Sequence, residues 1–406
     1  MAKQPKIRFK GFTDEWKEAP LSEYLIVSNE RNDNDRYTAQ DIQSVSGEYG
    51  VVNQIEFQGR SFAGASLLNY RVIHNGEIAY TKSPLKLSPF GIIKANKSVT
   101  GIVSALYGVY KVKKGDPNFI QDYFDLLARL NSYLRPLVNK GAKNTLLITD
   151  EDAISGNVIF PKTDEQKAIS NLISHISTTI LRRETELEKL KNIKRALLEK
   201  LFPQDGQSVP AIRFKGFDEN WEPKILGNEI EETGTKNRNN LPLESYSITN
   251  EAGFIPQNEK FENGGYVADA DKTMYTIVPP QSFAYNPARI NVGSIGYYNG
   301  TKDVIVSSLY IVFKTSEAIH DDFLMAWFKS DIFNHLIYTL QEGGVRQYFF
   351  YDKMVQCPIL LPKTPEQEKI AKLVNSLNKT ISLRERQLTL LKHTKQALLE
   401  QMFVNE

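Results

Sequence analysis

The chain repeats itself. Ile7 to Trp16 reads IRFKGFTDEW, and Ile212 to Trp221 reads IRFKGFDENW. Pro161 to Phe202 opens with PKTDEQ and closes with KNIKRALLEKLF, while Pro362 to Phe403 opens with PKTPEQ and closes with KHTKQALLEQMF. One unit of about 200 residues therefore occurs twice. That is far longer than a solenoid repeat, which runs roughly 20–50 residues. It predicts two domains of one fold related by a pseudo-two-fold axis, the symmetry suited to a target in two parts.

Each copy has the same order of parts. An aromatic lead-in comes first: Phe9, Lys10, Gly11, Phe12 and Trp16, or Phe214, Lys215, Gly216, Phe217 and Trp221. A variable region of about 140 residues follows, then a charged helix with an apolar stripe. The chain so divides into residues 1–161, a variable domain with its lead-in; 162–203, a long helix; 204–362, a second variable domain with its lead-in; and 363–406, a second long helix. The variable regions still align weakly. Ser44 to Gln54 matches Ser247 to Gln257, Ala79-Tyr80 matches Ala284-Tyr285, and Gly141 to Asp150 matches Gly343 to Asp352. Residues 102–112 and 304–314 are rich in β-branched and aromatic residues and read as strands. Phe119 to Val138 and Asp321 to Leu340 read as one amphipathic helix each. The expected fold class is α+β: two α/β domains separated by two long helices.

Those helices carry a sustained heptad pattern. In the first, Ile169, Ile176, Leu190 and Leu197 fill one seam position, and Ile173, Ile180, Leu187 and Leu201 the other. In the second, Ile370, Leu377, Leu391 and Leu398 pair with Val374, Ile381, Leu388 and Met402. Both break the pattern at matching places, Arg183 with Arg384 and Lys194 with Lys395. Each helix is roughly 55 Å long and needs a partner for stability. An antiparallel coiled coil between them is the simplest expectation. The seam cations either meet a carboxylate, fix register, or sit at a solvated edge.

Composition excludes several classes of protein. One cysteine, Cys357, permits no intrachain disulfide and no cysteine metal cluster, which suits a reducing cytoplasm. No apolar run is long enough to span a membrane, and the start lacks a signal-peptide pattern. The five histidines show no metal-ligand spacing. No phosphate-binding glycine loop or nucleophile elbow appears, and no cofactor is expected. The chain reads as a binding protein.

The net charge of +2 hides an uneven distribution. Lys82 to Lys143 holds 11 Lys and Arg against 3 Asp and Glu, whereas the second copy is acidic overall. Two turn-rich stretches per copy combine cations, amides and aromatics. The first comprises Tyr80, Lys82, Lys86, Lys94 and Lys97, with Tyr285, Asn286, Arg289, Asn291 and Lys302 as its counterpart. The second comprises Lys143 and Asn144, with Arg346, Gln347 and Tyr348 opposite. Lys and Arg neutralise phosphates, while Arg, Lys, Asn and Gln make paired hydrogen bonds to base edges. These residues are the candidate DNA contacts. Against that stands the reading that they are solvated loops, with Tyr80 and Tyr285 in the core.

The layout resembles the specificity subunit of type I restriction-modification enzymes. The resemblance rests on the paired RFKGF and Trp lead-ins, the Gly141 to Asp150 and Gly343 to Asp352 loops, and the PKTDEQ and PKTPEQ starts of helices ending in ALLEKLF and ALLEQMF. It covers nearly the full length. It implies that each variable region is a target recognition domain reading half of a split double-stranded DNA sequence. It also implies that the helices set the spacing between halves. Two modification subunits, which carry the S-adenosylmethionine site and methylate adenine, dock on its conserved parts, and restriction subunits complete the complex. The chain itself would be non-catalytic. A protein-binding adaptor without DNA contact, an autonomous repressor and an enzyme are the competing readings. Salt-insensitive protein binding, operator binding without partners, or activity of the purified chain would single them out.

Overall fold

The computed structural model describes residues 4–33, 35–62, 66–85, 87–140, 146–204, 206–250, 253–260, 271–341 and 347–404. Its helices are α1 (Gln54–Gln58), α2 (Pro117–Asp125), α3 (Leu127–Leu134), α4 (Thr163–Lys200), α5 (Gln257–Lys260), α6 (Asp321–Trp327), α7 (Asp331–Leu340), α8 (Tyr351–Met354) and α9 (Thr364–Gln401). The chain folds as two compact units, residues 1–184 with 386–406, and residues 185–385. Each unit thus combines one variable domain with part of both α4 and α9.

The two units are built alike. In the first, a four-stranded antiparallel sheet has the order Leu25–Val27, Gly108–Val112, Ile78–Tyr80, Ile93–Ala95. In the second, the same order runs Ile230–Glu232, Ile311–Thr315, Ser282–Tyr285, Ile295–Tyr298. Equivalent residues pair in equivalent register: Ala79 faces Val109, and Ala284 faces Val312. The matching SVSGEYGVVNQ and SITNEAGFIPQ stretches form hairpins, Gln43–Ser46 with Gly50–Asn53 and Tyr246–Thr249 with Gly253–Pro256. The expected strands over 102–112 and 304–314 are each split by a tight turn, closed by Tyr107 N to Ser104 O and Tyr310 N to Ser307 O. The single helices expected over 119–138 and 321–340 are also split. Leu126 adopts an extended ψ of 108° between α2 and α3, and Ser330 caps α7 by accepting from Phe333 N.

The lead-in motifs close each copy. The strand after each tryptophan pairs with the strand that precedes a long helix, Lys17 opposite Phe160 and Glu222 opposite Leu361. Arg8 donates Nε and Nη2 to both carboxylate oxygens of Glu165, at 2.7 and 2.8 Å. Arg213 does the same to Glu366, at 2.8 Å for each bond. The Gln residues that follow are equally matched. Gln166 accepts from Asp116 N and donates to Pro161 O, both at 2.9 Å. Gln367 accepts from His320 N and donates to Pro362 O, at 2.8 and 2.9 Å. So the repeated E-Q pair fastens the long helix to its own lead-in and to the start of α2 or α6. Carboxylates in the first turn also suit the positive end of the helix dipole.

Aromatic rings complete the joints. Trp16 and Phe403 both pack on Phe119, with ring centroids 6.1 and 5.2 Å away. Trp221, Phe202 and Phe323 form the corresponding triad in the second unit, with centroids 5.4–6.2 Å apart. Buried aromatics of this size are among the largest individual contributors to a core. In the first unit Arg129 donates to Tyr123 O and Leu399 O, which ties α2 and α3 to the last turns of α9.

The heptad residues are shielded as the pattern requires. Ile169, Ile173, Leu187, Ile370, Val374, Ile381 and Leu388 are buried. Ile176, Ile180, Leu190, Leu197, Leu377, Leu391 and Leu398 are half-buried. In the first unit Ile169 and Ile173 share a core with Leu399 and Met402, while Glu184 pairs with Lys392 at 2.6 Å. In the second, Leu198 and Leu201 share a core with Ile370 and Val374, while Lys191 pairs with Glu385 at 2.8 Å. Rising numbers on one helix meet falling numbers on the other, so the helices run antiparallel within each unit. The seam cation Lys194 is half-buried; burial pushes its pKa down and Glu385 opposes the shift. No helix among the described residues is long and apolar enough to cross a membrane.

Candidate nucleic-acid interface

In each variable domain the structure brings together two segments that are far apart in sequence. In the second unit Phe349 N donates to Pro287 O at 3.0 Å, which joins the Asn286–Asn291 turn to the stretch beginning at Gln347. Phe349 itself is 1 % exposed and packs on Phe333, with centroids 5.9 Å apart. In the first unit Asp150 is the joint. Its carboxylate pairs with Lys82 at 2.5 Å and with Arg71 at 2.6 Å. Lys82 adopts φ +47°, a left-handed conformation that costs a lysine energy. The ion pair with Asp150 is one contact that holds it there.

The candidate contacts divide into three groups. Tyr80 and Tyr285 are 1 % and 0 % exposed and belong to the core, which corrects their assignment as contacts. They lie on central strands whose two faces are both covered, and burial raises both phenols. Lys82 and Lys94 are also withdrawn from the surface. Lys94 is 7 % exposed and pairs with Asp125 at 2.6 Å. The basic excess of this stretch is thus partly neutralised inside the domain. Lys97, Arg289, Asn291, Lys302 and Gln347 are exposed, and Tyr348 and Asn286 are half-buried. Asn286 Oδ1 accepts from Ala288 N at 3.0 Å, so one of its polar atoms shapes the turn. Lys86, Lys143, Asn144 and Arg346 lie outside the described residues.

Several positioning residues had escaped the sequence reading. Lys329 Nζ donates to Asn250 O, Asn250 Oδ1 and Gly293 O at 3.3, 3.0 and 3.0 Å. It fastens the Tyr246–Pro256 hairpin to the end of the turn that carries Arg289 and Asn291. Burial, and then the charge of Lys194, push its pKa down to about 8. Gly293 has φ +84°, and a Cβ there would collide with Asn250, so this junction requires glycine. Arg71 and Asp150 do similar work in the first unit. The only clue to them in the sequence was the matched position of Asp150 and Asp352.

The first unit also holds a cleft of about 550 Å³ between the Gln43–Asn53 hairpin, α2 and its portions of α4 and α9. Asp122 lies against it, 2 % exposed, with no hydrogen bond to Oδ2. Burial, then repulsion from Asp125, push its pKa up to about 8, against the pull of Lys97, Lys395 and Lys94. A raised folded-state pKa means that the unfolded chain loses its proton first. Stability is therefore lost as pH rises from about 4 towards 8. Asp122→Asn is expected to raise the melting temperature at pH 8 by roughly 2–6 °C and to change little at pH 4. Calorimetry at the two pH values checks this; an equal effect at both would refute the assignment.

No model of a known protein family matches the chain. The structure shares its fold with the type I restriction-modification system S subunit from M. genitalium, at 12 % identity and TM-score 0.59, over 99 % of this chain and 100 % of that one. The HsdS subunit from Thermoanaerobacter tengcongensis matches at 15 % identity and TM-score 0.45, over 100 % of both chains. A chain from a type I R-M system, described for its complex assembly and conformational transition, matches at 14 % identity and TM-score 0.48, over 96 % of this chain and 97 % of that one. The fold is thus that of a type I restriction-modification specificity subunit, present over essentially the whole length.

Proposed function

We propose that the chain is the DNA specificity subunit of a type I restriction-modification complex. It reads a bipartite double-stranded target, one half with each variable domain. It positions adenine-N6 methyltransferase subunits there, together with restriction subunits in the full complex. The chain performs no chemistry itself. The observation that carries the reading is that one surface plan is built twice, two joined segments on the same α+β domain, in a chain with the fold of an S subunit. Duplicated readers on a duplicated frame match a target with two half-sites. Exposed Lys97, Arg289, Asn291, Lys302 and Gln347 supply side-chain types that contact phosphates and base edges.

The test is a methylation map of cells carrying this chain and its modification partner, compared with cells lacking this chain. N6-methyladenine is expected to disappear from one split motif when the chain is removed. Exchanging residues 1–161 or 204–362 for the matching part of a related chain is expected to change one half of that motif and leave the other. Identical maps with the partner present would favour the adaptor reading, and a pull-down would then identify what the chain holds.

A further inference from the structure

The Gln347–Phe350 segment presents a feature that the core packing does not explain. Tyr348 and Phe350 are two residues apart and stack on each other, with centroids 5.3 Å apart and planes 4° apart. Between them Phe349 points inward, 1 % exposed, and its N–H is tied to Pro287 O. Alternate residues of an extended segment face opposite sides. One inward ring therefore anchors a stacked pair that faces outward. Phe350 is 47 % exposed and Tyr348 half-buried, so the pair keeps a free aromatic face in water.

Its neighbours indicate the occupant. Exposed Gln347 precedes the pair, and the turn joined to Phe349 carries exposed Arg289 and Asn291. These are base-edge donors and acceptors set around an apolar surface. The next residue, Tyr351, donates its hydroxyl to Ile230 O at 3.3 Å, on the strand Ile230–Glu232. The two rings carry no charge, so a nucleic acid held on them gains through its bases. Stacking supplies that gain regardless of charge, and apolar side chains are known to wedge between base steps of a duplex.

We propose that Tyr348 and Phe350 form an aromatic wedge that stacks on a base step of the half-site read by the second variable domain. The inference rests on the specificity-subunit reading and adds to it the mode of contact. The experiment uses the full chain with its modification partner and a duplex carrying the mapped target. 2-Aminopurine is placed in turn at each step of that half-site. The wild-type complex is expected to raise fluorescence at one step, as unstacking does. Tyr348→Ala with Phe350→Ala is expected to abolish that rise and weaken specific binding by roughly ten-fold or more. The slope of log affinity against log salt should stay unchanged, because no phosphate contact is lost. Phe350→Leu, which keeps apolar bulk but no ring, should weaken binding to a lesser degree.

A wild-type complex that reads its target with no fluorescence change at any step overturns the wedge alone. Unaltered affinity in a folded double variant does the same. So does a double variant that retains DNA affinity but sheds the modification partner, since the pair would then be a protein contact. A wild-type complex without preference for a bipartite site overturns the reading beneath it.

Discussion

Glu366→Ala is expected to destabilise the second unit by about 3–5 kcal/mol. The Glu366 side chain is 2 % exposed, and both its oxygens accept from Arg213, itself 17 % exposed. Removing it leaves a shielded guanidinium without its counter-charge, the most costly way to break such a pair. For a unit of this size, that corresponds to a fall in melting temperature of about 10 °C. Glu165→Ala should act likewise through Arg8 in the first unit. The double variant Arg213→Met with Glu366→Leu should recover most of the loss, because neither charge then remains. A calorimetric change below about 1 kcal/mol for the single variants would show that the pair is solvated and its location incidental.

The second large effect concerns the long helices. A seven-residue insertion into both, beside Thr185 in α4 and beside Arg386 in α9, preserves the heptad phase. It adds about 10 Å of helix, close to three base pairs at 3.4 Å each. If these helices set the distance between half-sites, methylation at the original motif should fall at least a hundred-fold. Residual methylation should reappear at a motif whose gap is about three base pairs longer. Because three base pairs also turn the second half-site by nearly a third of a revolution, the new activity should remain partial. Sequencing of methylated genomes from the two strains reads both outcomes. Full methylation at the original gap would dismiss the ruler.

What the sequence disclosed follows from how each kind of information is stored. The heptads were legible because a seam repeats at short range. All sixteen seam positions, from Ile169 to Met402, are buried or half-buried. The duplicated lead-ins and helix starts were legible as repeats, but their purpose was not. Nothing local to R-F-K-G-F says that its arginine seeks the glutamate of P-K-T-D-E-Q, 157 positions away. The candidate interface was legible in part. In the second copy the stretch at Gln347 meets the Asn286–Asn291 turn through Phe349 and Pro287, while Lys143 and Asn144 of the first copy lie outside the described residues. Lys82 and Lys94 pair with Asp150 and Asp125, which stand opposite them in space. Pairings across such separations leave no periodic trace. The helix breaks at Leu126 and Ser330 were missed for the opposite reason, since the apolar spacing continues across a backbone turn that changes its direction.

The link between the lead-in and the end of a long helix occurs twice, with one difference. In the second unit Ile212 N donates to Lys200 O at 3.0 Å, and the intervening chain is continuous. In the first, Ile7 N donates to Gln401 O at the same distance, which brings residues far apart in sequence together. Each unit therefore closes a lead-in onto the last turn of a long helix by the same backbone bond. A circular permutant that opens near Ser208 and bridges Val404 to Gln4 with a short flexible linker should therefore fold to the same structure, with first and second exchanging names.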